Sequence, residues 1–164
     1  MSVMGLGDFA LHKIPLGGGC LAIAPAPGAN GDFATDISQI AEWGARLVIT
    51  MTTVDELQAL GTANMRTDLV QMGIDWLHLP VPDFSTPDTL DWSTLRENVL
   101  GRLENAEHVL VHCRGGCGRS GMLALRLMIA GGEAPNNALK RLRSIRPCAV
   151  ETADQMRWAM QDAG

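Results

Sequence analysis

Residues 108–121 read His108-Val109-Leu110-Val111-His112-Cys113-Arg114-Gly115-Gly116-Cys117-Gly118-Arg119-Ser120-Gly121. The apolar run His108–His112 predicts a buried strand. Gly115, Gly116 and Gly118 predict a tight loop, and the apolar spacing from Arg119 to Ala130 predicts a helix ended by Gly131-Gly132. A thiol at the end of a buried strand, ahead of a glycine-rich loop and a helix N-terminus, sits where successive backbone N–H groups converge and the helix adds partial positive charge. That setting favours the thiolate of Cys113. Arg119 supplies a planar fork that matches phosphate oxygens two at a time. A nucleophile and an oxyanion clamp on one loop are what displacement at phosphorus requires.

Outward from this loop, short apolar runs alternate with helical patterns. Strands are predicted at Cys20–Ala24, Arg46–Met51, Asp75–Leu79 and His108–His112. Helices are predicted from Phe33 to Trp43, from Thr53 with Glu56 as its capping-box partner, and over about Asn64–Met72, Trp92–Asn105, Pro135–Ile145 and Thr152–Asp162. The expected architecture is α/β, with a central, mostly parallel sheet of about four to five strands flanked by helices on both sides. A stiff loop with three prolines, Pro80-Val81-Pro82-Asp83-Phe84-Ser85-Thr86-Pro87-Asp88, separates the third strand from the helix at Trp92. The whole chain, 1–164, reads as a single domain in which residues 1–18 are a flexible N-terminal segment.

Composition limits the function classes. Apolar residues are 46% and charged residues 19% of 164, enough for a packed core and too few charges for a disordered chain. The net charge of −5 argues against bulk polyanions, so neither nucleic acid nor an anionic membrane is expected as a partner. The charge is uneven, however: residues 1–107 carry 14 acids and 5 bases, and residues 108–164 carry 4 acids and 8 bases. Without a signal-peptide pattern or a long apolar span, the chain reads as soluble and cytoplasmic. Its four cysteines, Cys20, Cys113, Cys117 and Cys148, are accordingly not expected to form structural disulfides. His108, His112, Cys113 and Cys117 lack the paired spacing of a zinc site, and strand alternation turns His112 and Cys113 to opposite sides, so no metal or other cofactor is expected. His112 is expected to orient the loop by side-chain hydrogen bonds.

The pattern His112-Cys113-x5-Arg119-Ser120 resembles the signature of the cysteine-based protein tyrosine phosphatases, and its surroundings are similar to the dual-specificity branch. The resemblance covers about Cys20 to Gln155. The Pro-Asp-x-x-Thr-Pro loop looks most like that of cyclin-dependent-kinase-associated phosphatases and their bacterial relatives. It implies that Cys113 is the nucleophile of a phosphocysteine intermediate. Arg114, Gly115, Gly116, Cys117, Gly118 and Arg119 then bind the phosphoryl group, and Ser120 assists the departing thiolate. It further implies that Asp83, about 30 residues before the nucleophile, is the general acid and then base, with Asp88 and Asp91 as neighbouring substitutes. The stretch Arg146-Pro147-Cys148-Ala149-Val150-Glu151-Thr152-x-x-Gln155 is similar to the element that follows the loop in small dual-specificity enzymes. There the Arg-Pro pair and the Glu are largely structural and Gln155 is a candidate for positioning water; Cys148 stands where that family often has Gly. The absence of tyrosine excludes the tyrosine wall of the tyrosine-specific branch and favours a shallower site.

The expected substrate is a phosphorylated protein or a small phosphate monoester. Three other chemistries fit parts of the pattern. A thiol redox enzyme or arsenate reductase would pair Cys113 with Cys117 or Cys148, a sulfurtransferase would use the Cys loop without Asp83, and a phosphate-binding module would use the loop without turnover. Cys117 reads as filler, with a peroxide-induced bond to Cys113 as the reactive alternative. The run Lys140, Arg141, Arg143, Arg146 reads as a solvated basic face that could also draw acidic or phosphorylated substrates to the loop.

Overall fold

A computed structural model of the chain describes residues 8–161. In chain order the elements are β1 (His12–Leu16), β2 (Gly19–Ala24), α1 (Phe33–Trp43), β3 (Ala45–Thr50), α2 (Val54–Ala59), α3 (Met65–Gln71), β4 (Asp75–His78), α4 (Trp92–Glu104), β5 (His108–His112), α5 (Gly118–Ala130), α6 (Pro135–Ile145) and α7 (Ala153–Ala159). They build one five-stranded sheet in the order β1-β2-β5-β3-β4, parallel throughout except where β1 runs antiparallel to β2. The expected α/β architecture is therefore observed.

Local chemistry sets the element ends. Asp32 caps α1 by accepting from the Thr35 N–H, and Gly44 closes it in the left-handed conformation at φ 86°. Thr53 and Glu56 form the expected reciprocal capping box at α2. α7 is shorter than its sequence pattern, which runs on past the described residues.

Strand alternation divides the core in two. Leu21, Ile23, Leu47, Ile49, Val109, Val111 and Cys113 join one cluster, packed against α4 to α7. Ala22, Ala24, Val48 and Leu110 join the other, with Ile37 and Ile40 of α1, Leu57 of α2 and Met65 and Leu69 of α3. Burying both faces is what makes the central strands near-continuous apolar runs.

Part of the segment expected to be flexible is ordered: residues 12–16 form β1, while residues 1–7 lie outside the described residues. Gly17 and Gly18, at φ 65° and 89°, make a two-residue hairpin turn that only glycine adopts without strain. Pro15 and a single buried residue, Ile14, weaken the strand pattern, and both suit an edge position.

β5 lies at the centre of the sheet between two parallel strands that precede it in sequence, so the segments following β2, β3, β4 and β5 all emerge at one edge. Parallel sheets bind ligands at such an edge. Here it gathers Glu56 from the β3 side, Asp83 from the β4 side and Cys113 to Arg119 from β5.

Candidate active site

Five consecutive carbonyls of the loop after β5 have partners outside it. The Cys113 carbonyl faces His112 Nδ1 at 3.4 Å and the Arg114 carbonyl accepts from Ala26 N at 3.1 Å. Arg146 donates to Gly115 O at 2.9 Å and to Gly116 O at 3.2 Å, and Cys117 O accepts from Val150 N and Gly121 N. A trans peptide points its N–H opposite to its C=O, so outward carbonyls turn the following N–H groups toward the centre of the loop. Gly116, at φ 71°, is required sterically as well as conformationally: a Cβ there would lie 2.6 Å from the backbone of Ala24 and Pro25.

Cys113 sits at the base of this cradle, 2% exposed. Ser120 approaches it twice, with Oγ 3.2 Å from the sulfur and its N–H donating to Sγ at 3.4 Å. Both groups can donate to a thiolate.

Arg119, 1% exposed, is braced from behind. Its Nη1 and Nη2 donate to the two carboxylate oxygens of Glu56 at 2.7 and 2.8 Å, and Nη1 also donates to Val81 O at 2.8 Å. The bidentate Arg119 contact holds the Glu56 carboxyl well below the usual carboxylate range, at about 2. Arg119 Nε is buried, has no hydrogen-bond partner among the described residues, and lies 3.5 Å from Asp83 Oδ1.

Asp83 stands at the tip of the proline-rich loop with its side chain 47% exposed. Phe84, next to it, takes a left-handed conformation at φ 63°, and its N–H donates to Asp83 Oδ1. The neighbouring acids are engaged elsewhere: Asp88 accepts from the Thr86 hydroxyl, and Asp91 caps α4 by accepting from the Thr94 N–H. Gln155, fully buried, completes the α7 capping box and donates to Ser85 O at 3.3 Å. It thereby ties α7 to the loop that carries Asp83.

Two expectations need correction. Cys117 is not filler and is not bonded to Cys113: it forms a disulfide with Cys148, with the two Cα atoms 5.2 Å apart. The expectation of no structural disulfide came from compartment reasoning, whereas the fold brings Cys148 beside the loop by docking Arg146 and Val150 onto it. The pairing also occupies both thiols that a redox reading would give to Cys113. The basic run is not a uniform solvated face either. Arg146 is 4% exposed against the loop, Arg143 donates to the Ala149 and Val150 carbonyls, and Arg141 pairs with Glu133.

A bond closing 31 residues of separation removes unfolded-chain entropy worth about 2–4 kcal/mol. Cys148→Ser is therefore expected to lower the unfolding free energy by about that amount under oxidising conditions. In denaturant titrations, the gap should close once a reductant is added.

Sequence reading identified Glu56 as a cap but not as the brace of Arg119. A Glu three residues after a Thr carries no signal for a partner 63 positions away.

Residues 26–159 match the family described as PTP-SAK, Swiss Army Knife protein, DSP-PTPase phosphatase domain. The mouse protein cyclin-dependent kinase inhibitor 3 is 32% identical over 122 residues, which cover 73% of this chain and 58% of the mouse protein. The human protein of the same name is 30% identical over 123 residues, with the same coverage. The chain thus spans 58% of the length of these relatives. A crystal structure of kinase associated phosphatase with serine substituted for its catalytic-site cysteine has the same fold, with a TM-score of 0.83 at 23% identity over 94% of this chain and 96% of that one. Tk-PTP in its active form gives a TM-score of 0.68 at 28% identity, over 87% and 90% of the two chains. No described helix is long and apolar enough to cross a membrane. Matched from residue 26 to residue 159 and sharing its fold with these phosphatases, the chain belongs to the DSP-PTPase phosphatase domain family.

Proposed function

We propose that the chain hydrolyses phosphate monoesters, phosphotyrosine and phosphoserine or phosphothreonine of proteins among them, through a phosphocysteine on Cys113. One observation carries the reading: Asp83 comes from a different loop to within 3.5 Å of the Arg119 guanidinium, which shares its loop with Cys113. A phosphoryl group seated on the loop amides and Arg119 has the sulfur behind it and the carboxyl group toward solvent, where the ester oxygen leaves.

In the first step the Cys113 thiolate forms a bond to phosphorus, the phosphorus–oxygen ester bond breaks, and protonated Asp83 gives its proton to the departing oxygen. In the second, Asp83 as carboxylate takes a proton from water, the water oxygen bonds to phosphorus, and the phosphorus–sulfur bond breaks. The Ser120 hydroxyl, 3.2 Å from Sγ, donates to the returning thiolate. Inorganic phosphate leaves, and the electrons balance without a metal or redox partner.

The test is Asp83→Ala. Loss of acid–base help is expected to lower kcat on an alkyl or aryl phosphate by about 10²–10⁴. On an aryl phosphate whose leaving oxygen needs little protonation, the first step should still proceed while the second is slowed, so that acid quenching traps one phosphoryl group on the peptide containing Cys113, read by mass spectrometry. Native-like turnover in the variant, or a phosphoryl group found on another residue, would remove the proposal.

A further inference from the structure

Past its first turn, α5 is apolar along its buried length except at one position. Met122 to Met128 read Met-Leu-Ala-Leu-Arg-Leu-Met, all of them buried, with Arg126 only 6% exposed. Burying a guanidinium costs free energy that a methionine or leucine of similar volume would not incur, so packing alone gives no reason for an arginine there. What receives the charge is aromatic. Arg126 Cζ lies 4.2 Å from the ring centroid of Trp92 and 4.4 Å from that of Trp158, and the two indoles meet edge to face at 5.8 Å. A cation is attracted to both ring faces, and more strongly where water is excluded.

Both indoles belong to segments that hold the Asp83 loop. Trp92 is the first residue of α4, where that loop ends, and Asp91 before it is the cap of the helix. Trp158 lies one turn along α7 from Gln155, whose amide donates to the carbonyl of Ser85, two residues after Asp83. At its start the loop is fixed from β3 and α5: Val81 N donates to Met51 O at 3.1 Å, and Val81 O accepts from Arg119 at 2.8 Å. Arg119 and Arg126 are seven positions apart on α5, close to two full turns, and so leave the helix on the same face. That face meets the loop at its start through Arg119 and at its end through Arg126.

We infer that Arg126 is a positioning residue for the general acid: its guanidinium, lying against Trp92 and Trp158, fixes the end of the acid loop and α7 to α5 and so sets where Asp83 stands over the cradle. The inference rests on the reading of Asp83 as the acid, and it extends the machinery two turns down α5. Pro80, Pro82 and Pro87 stiffen the loop between its anchors, so a shift at Trp92 is carried toward Asp83.

The experiment compares native protein with Arg126→Met, Arg126→Lys and Trp92→Leu on two substrates. An alkyl phosphate needs a proton on its leaving oxygen, whereas dinitrophenyl phosphate releases a stabilised anion and does not. Arg126→Met keeps an unbranched apolar chain and removes the charge. Its kcat/KM on the alkyl phosphate should fall by about 10–10², with dinitrophenyl phosphate staying within about twofold of native. Arg126→Lys keeps a cation against the rings and should fall between native and Arg126→Met. Trp92→Leu should show the same selective loss, and combining it with Arg126→Met should lose no more than either alone. Added to Asp83→Ala, Arg126→Met should cost nothing further on the alkyl phosphate.

A fall of equal size on both substrates would mark a role in the fold alone and overturns the inference. So does an unchanged alkyl phosphate rate in Arg126→Met, or a loss that adds in full to that of Asp83→Ala. If Arg126→Met fails to fold, Trp92→Leu and Arg126→Lys on the same two substrates decide, and the absence of a selective loss in both overturns it. A selective loss in Asp83→Ala without one in the Arg126 and Trp92 variants removes this inference and leaves the phosphocysteine reading standing. Native-like turnover in Asp83→Ala removes that reading itself.

Discussion

Cys113→Ser is expected to lower kcat for an aryl phosphate by about 10⁴-fold or more while leaving phosphate binding near native. In the proposed mechanism the sulfur is the atom that bonds phosphorus. A serine hydroxyl in its place is un-ionised at neutral pH, and the cradle holds no general base arranged to take its proton. The contacts that turn the loop amides inward come from Ala26, Arg146, Val150 and the His112 ring, none of which depends on the sulfur. Binding of inorganic phosphate, measured by titration calorimetry, should therefore survive when turnover does not. Native-like turnover in the variant would place the covalent step elsewhere.

Arg119→Lys is the second large effect, with kcat/KM expected to fall by about 10³-fold. An ammonium carries the charge but not the rigid fork. It cannot meet both Glu56 oxygens, at 2.7 and 2.8 Å, while keeping a donor directed at the phosphoryl group. The loss should fall mainly on kcat, because in the proposed mechanism the fork stabilises charge on the equatorial oxygens as the bond to the leaving group breaks. Glu56 separates orientation from charge. Its carboxyl is depressed to about 2, so its contribution is fully present above the ordinary carboxylate range and is lost only as pH falls toward about 2. The Arg119 geometry consequently stays constant across an ordinary assay range, and a Glu56→Gln chain should retain the pH profile of the native chain at a lower plateau. Urea titrations alongside would show whether either substitution acts through the fold.

The parts of the site that were legible beforehand are those contiguous in the chain. Cys113, Arg119 and Ser120 sit on one strand–loop–helix, where glycine positions, apolar periodicity and residue type all point the same way. Asp83 was legible through its proline-rich context, and the structure adds that, unlike Asp88 and Asp91, it forms an ion pair with Arg119. Glu56, Arg146 and the Cys117–Cys148 pair were legible only in part. Each has a complete local explanation, as a helix cap, a basic residue before proline, or a scattered thiol, and nothing local forces a second role. β1 was overlooked because a proline and one buried side chain give a weak alternation, although the Gly17-Gly18 turn was visible.

By itself the sequence determined the alternating α/β pattern, the strand–loop–helix that holds a thiol at a helix N-terminus, and the placement of a proline-stiffened acid loop upstream. Those are consequences of spacing and backbone freedom over a few residues. Only the tertiary structure decided what surrounds that loop. The order β1-β2-β5-β3-β4 brings the ends of parallel strands to one edge, so that Glu56 reaches Arg119 across 63 residues, Cys148 bonds Cys117 across 31, and Thr50 meets His112 across 62. Such contacts depend on strand order and register, which come from packing two apolar faces at once, and no local pattern encodes which distant polar group will arrive.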